Sequence, residues 1–128
     1  MMNLILESKK TVAQAAADLE IAVKRNGFGV LHVYDLKATL KNKGVDLPQE
    51  CRIVEVCNPA QAAKVLAADM SLNFALPCRV SVYEDAGTTK IGMIKPTSLL
   101  GLLAKNSDLA ETAEEVEAAI TRMIKEAV

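Results

Sequence analysis

The chain has 128 residues, 51% of them hydrophobic and 24% charged, with a formal net charge of −1. That size and balance describe a single domain over residues 1–128, able to bury a core of its own. They exclude a nucleic-acid binder, for want of a basic excess to neutralise phosphates, and a membrane span, which needs an apolar run of about 18 residues.

The opening stretch, Met1 to Lys10, puts its lysines after a short apolar segment, the wrong order for a signal peptide. A cytoplasmic location is expected. Three cysteines, Cys51, Cys57 and Cys78, without an export signal do not suggest a disulfide framework. Aromatic residues are scarce, so Leu, Val, Ile and Ala must fill the core.

In chain order, Met2 to Glu7 reads as a short strand. A helix begins at Thr11, which has capping-box spacing to Gln14, and Val12, Ala16, Leu19 and Val23 recur at helical intervals. Asn26-Gly27 ends it, because glycine takes the left-handed conformation without steric cost. Phe28 to Tyr34 is rich in β-formers and reads as the second strand. Asp35 caps a short helix that Gly44 ends. Cys51 to Cys57 is the third strand, followed by Asn58 as N-cap and Pro59 as the first residue of another helix. Pro77 to Asp85 and Thr88 to Lys95 form a hairpin around Ala86-Gly87, with Pro77 read as the start of an edge strand. Pro96-Thr97 opens a small apolar helix, and Asp108 with Glu111 caps the last one. There Leu109, Ala113, Val116, Ile120 and Met123 form one apolar stripe. Five strands and two long helices make an α+β layer pair, with one sheet against the helices.

Alternation sorts the strand residues by face. Leu31 and Val33, Val54 and Val56, Cys78, Val80 and Val82, and Ile91 with Met93 form the apolar set that should face the helices. The opposite set is mixed: Phe28, Val30, His32 and Tyr34; Cys51, Ile53, Glu55 and Cys57; Arg79, Ser81 and Tyr83; Lys90, Gly92 and Ile94. So much apolar surface among polar groups calls for a cover, a second subunit or a ligand. On this parity Cys57 and Cys78 lie on opposite faces and do not form a redox pair.

Three segments, Gly27 to Gly44, Cys57 to Leu66 and Leu76 to Glu84, resemble in order, spacing and wording the domain-of-unknown-function family numbered 302. The similarity runs from about Gly27 to Leu103, and the Cys-Asn-Pro and Leu-Pro-Cys triplets carry most of it. Arg79 departs from the asparagine that many relatives carry. The resemblance implies a fold similar to that of the TATA-box-binding protein, a curved antiparallel sheet with helices on one side, and it implies homodimers.

Little in the chain looks catalytic. Cys57 precedes a helix N-cap, where unpaired backbone N–H groups and the helix dipole lower a thiol pKa and favour the thiolate. A thiolate there would serve as nucleophile or sulfur carrier, while a plain small hydrophobe would fill the same strand-to-helix corner. His32, the only histidine, shares the mixed face and would partner Cys57 in nucleophilic chemistry if the two came within hydrogen-bond reach. The favoured reading of His32 is a polar residue at a dimer interface or on the strand surface. Cys51 and Cys57 lack the tight spacing of structural zinc ligands, and neither a metal nor a cofactor is expected. The Gly-Phe-Gly triplet lacks the setting of a nucleotide loop. The favoured reading is a cytoplasmic homodimer that binds a small ligand or partner on the open face, through Cys57, His32, Tyr34, Glu55, Arg79 and Tyr83. The alternative is a thiol-dependent enzyme or sulfur carrier using Cys57, with His32 as its second catalytic candidate.

Overall fold

The computed structural model describes residues 1–103 and 109–128. In order, the elements are β1 (Asn3–Ser8), α1 (Val12–Arg25), β2 (Gly29–Asp35), α2 (Leu36–Asn42), β3 (Cys51–Cys57) and α3 (Pro59–Ala68). A 3-10 segment (Met70–Ala75), β4 (Cys78–Asp85), β5 (Thr88–Ile94), α4 (Pro96–Leu103) and α5 (Ala110–Ala127) follow. The 3-10 segment has no counterpart in the sequence reading. Asp108, expected to cap α5, lies outside the described residues.

Helix ends form as the local sequence dictates. Thr11 Oγ1 accepts from the Gln14 amide at 3.1 Å, while the Gln14 side chain turns to Asp18 at 3.0 Å, so only half of a capping box is made. At the other end of α1, Gly27 has φ +79°. Its N–H donates to Lys24 O at 3.1 Å, and the Phe28 N–H donates to Val23 O at 3.0 Å. This pair of bonds closes the last turn and folds Phe28 back into the core. Asp35 and Asn58 cap α2 and α3 in the same local way, accepting from the amides of Ala38 and Gln61.

The sheet has the order β1-β5-β4-β3-β2, with every neighbouring pair antiparallel. β1 and β2 are consecutive strands on opposite edges, so α1 has to cross the sheet between them. One face presents Val54, Val56, Val80, Val82 and Ile91, all fully buried under Leu19 and Val23 of α1 and Ile120 and Ile124 of α5. Each such side chain contributes about 2 kcal/mol relative to exposure, which makes this layer contact the main stabilising element. The architecture is the expected α+β arrangement of an antiparallel sheet with helices.

The register of β2 corrects the expected faces. Val30 pairs with Val56, but His32 pairs with Glu55, so Leu31 is an extra residue in a β-bulge. Before the bulge, Phe28 and Val30 pack into the helix-side core rather than lying on the open face. After it, Val33 takes the helix side, and His32 and Tyr34 take the open one. Leu31, expected inside with Val33, is exposed. Pro77 is also corrected. The strand it precedes, β4, is an interior one, and proline is accommodated because it stands one residue before the ladder begins.

A second, smaller cluster gathers Val65 of α3, Leu72, Leu100 of α4, and Leu109 and Ala113 at the start of α5. α4 is fastened there by Glu117 of α5, whose Oε1 accepts from Thr97 Oγ1 at 2.6 Å and from the Thr97 amide at 3.2 Å. Among the described residues, no helix is long and apolar enough to cross a membrane.

Candidate functional site

Where the two apolar clusters meet, at the end of the sheet that holds Cys57, Cys78 and Ile94, they leave a cavity of about 700 Å³. Its floor belongs to the strands. Tertiary pairing sets Glu55 directly opposite Arg79, and Ser81 opposite both Ile53 and Gly92, on the open face. Gly92 sits beneath β1. A Cβ there would come within 3.1 Å of Leu4 O and 3.2 Å of Ile5 Cγ1, so glycine is what lets Ile5 lie close across it. The walls come from the connecting helices: Gln61 and Val65 of α3, Phe74 of the 3-10 segment, and Leu99 and Leu100 of α4. From the helix side, Phe28, Met93 and Ile120 close the back.

Of the six residues expected at a binding site, four line this cavity: Glu55, Cys57, Arg79 and Tyr83. The other two lie beyond it on the edge strand. His32 and Tyr34 stack edge to face, with ring centroids 4.2 Å apart, and both are exposed. His32 stands opposite Glu55, whereas Cys57 stands opposite Gly29, so histidine and thiol are diagonal neighbours. No hydrogen bond joins them among the described residues, and the dyad expected of a cysteine nucleophile is not assembled.

The thiols behave differently from the expectation for a helix N-terminus. Burial pushes the Cys57 thiol up, not down, because charge is disfavoured where solvent is scarce. Burial, reinforced by the neighbouring Cys57, pushes Cys78 up to about 11. Cys51 is likewise raised by burial, partly offset by the nearby Arg79 guanidinium. All three cysteines are free. Cys57 and Cys78 point to opposite faces as their parity requires, yet both line the one cavity because it wraps around the sheet's end. Among the described residues, no group of three or more His, Cys, Asp or Glu comes together to hold a metal ion.

The model of the family described as "Domain of unknown function DUF302" matches residues 4–127, nearly the whole fold just described. The chain belongs to the DUF302 family. A crystal structure of an uncharacterized conserved DUF302 protein from Bacillus stearothermophilus is similar to it at 34% identity, with a TM-score of 0.93. The similarity covers 100% of this chain and 99% of that one. A comparison with curated proteins finds no match.

In this DUF302 chain, alternation along β3 and β4 pointed to the polar floor of the cavity. Gln61, Phe74 and Leu99 were missed, because strand parity says nothing about helices folded over a strand end. The one available signal was the density of apolar residues between Met70 and Leu103, which exceeds what the main core uses.

Proposed function

We propose that the protein is a non-catalytic, single-domain homodimer that binds a small ligand in the cavity at the end of its open sheet face. The cavity carries this reading: its volume lies within the range of about 300–1,000 Å³ typical of small-molecule sites, and a few polar groups interrupt a mostly apolar wall. The raised Cys57 thiol supports binding over thiol chemistry, since little of it is thiolate at neutral pH. Three free cysteines agree with a cytoplasmic location. The homodimer is supported by apolar residues left uncovered on the open face, Ile5 at 46% and Ile94 at 56% exposure. A second copy over that face would also roof the mouth of the cavity.

The test uses Nile red, an uncharged apolar dye. Its fluorescence should rise with the native protein and stay low with Ala62→Trp, which fills the cavity from α3. Equal fluorescence with both proteins, or none with either, sinks the cavity as the binding site. Sedimentation of Ile94→Asp tests the assembly: the expected result is a dimer for the natural chain and a folded monomer for the variant.

A further inference from the structure

We infer that the cavity's ligand is an apolar chain whose head carries a cationic and an anionic group side by side, the cation meeting Glu55 and the anion meeting Arg79. The inference rests on the reading of the cavity as a ligand site and adds the chemical class of the ligand.

Glu55 and Arg79 are the two charged residues that line the cavity, and they stand opposite each other on β3 and β4. The ladder sets how close they come. The Glu84 N–H donates to Glu50 O at 2.9 Å, and hydrogen-bonded pairs recur at every second position from there. That phase makes Glu55 and Arg79 a non-hydrogen-bonded pair, the kind whose side chains are closest, with β-carbons about 5 Å apart. Their charged ends nevertheless form no ion pair among the described residues. The Arg79 guanidinium instead reaches along the open face toward Cys51, close enough for that thiol to feel its charge. Both ends are accessible: Arg79 is exposed, and the half-buried Glu55 has no oxygen sealed off from water.

Two unbridged charges of opposite sign make a fixed dipole on the floor, and the lining thiols add no charge because burial pushes both up. A ligand with a single charge is attracted by one member of the pair and repelled by the other, and an uncharged ligand engages neither. A head with both signs engages both. Ser81 and Tyr83 continue the open face of β4 beyond Arg79 and also line the cavity, which puts hydroxyl donors on the anion's side. Val65, Phe74, Leu99 and Leu100 form the apolar wall that takes the chain.

NMR titration with 2-aminooctanoate, octanoate, octylammonium and octanol tests this on the natural chain and on Glu55→Gln and Arg79→Gln, whose melting curves report that they fold. The zwitterion 2-aminooctanoate should bind the natural protein about fivefold more tightly than each of the other three. The variants should act crosswise. Glu55→Gln should weaken 2-aminooctanoate and octylammonium by about threefold and spare octanoate, whereas Arg79→Gln should weaken 2-aminooctanoate and octanoate and spare octylammonium. A variant that shifts all four ligands alike overturns the role of its residue. Octanol, octanoate or octylammonium binding as tightly as 2-aminooctanoate to the natural protein overturns the paired head and leaves the cavity reading standing. Failure of all four to bind overturns the cavity reading and the inference together.

Discussion

Val30 and His32 are two residues apart on one strand and face opposite sides of the sheet. Residues at that spacing ordinarily share a face, and the bulge at Leu31 is what separates them. An aspartate at Val30 therefore enters the helix-side core, whereas one at Ile53 stays on the open face. Val30→Asp should cost about 3 kcal/mol in urea unfolding and Ile53→Asp less than about 1 kcal/mol. Similar losses at the two positions would contradict the bulge.

A Cβ at Gly92 would be crowded by the Leu4 carbonyl at 3.1 Å and by Ile5 Cγ1 at 3.2 Å, so alanine there makes β1 give by a few tenths of an ångström. Gly92→Ala should destabilise by about 1–3 kcal/mol, seen as a lower urea midpoint at unchanged slope. It should also admit faster hydrogen exchange at Leu4 and Leu6, which pair across from Met93 and Ile91.

Ala86 occupies the hairpin turn with φ +51°, next to Gly87 at +81°. Two successive positive values are the geometry of a tight turn that favours Asn-Gly, and an alanine there is strained by about 1–2 kcal/mol. Ala86→Asn should raise the melting temperature, with a gain of about 1 kcal/mol. An unchanged or lower melting temperature would count against that strain.

Burial raises Cys78 from 9.0 to about 11 in the folded protein. The unfolded chain releases this proton first as pH rises, so the associated stability is complete below pH 9.0 and is lost as pH climbs through about 11. The loss amounts to roughly 3 kcal/mol at the high end. Urea midpoints measured on either side of that window should fall for the natural protein and fall less for Cys78→Ala.

The alternation that misplaced Phe28 and Val30 was sound on the other strands. Val54, Val56, Val80 and Val82 are buried, and Glu55, Arg79, Ser81 and Tyr83 lie on the open face. Those strands run without interruption, so two-residue periodicity holds from end to end. In β2 the pattern looked equally regular, because both Val30 and Leu31 are apolar and either can begin the buried series. The bulge exists only as a relation to β3. The same limit applies to the site: its floor was legible from strand parity, whereas Gln61 and Leu99 become lining residues only once α3 and α4 fold over the sheet's end.

By itself the sequence determined the helix ends at Thr11, Gly27, Asp35 and Asn58 and the faces of the strands that run without a bulge. Thr11, Asp35, Asn58 and Gly27 act on groups a few residues away, so their effect needs no tertiary context. Tertiary structure alone decided the placing of β1 beside β5, the phase of β2, the upward direction in which burial moves the Cys57 thiol, and the cavity itself. Each depends on atoms far apart in the chain. Packing and desolvation respond to neighbours in space, and sequence distance does not record them.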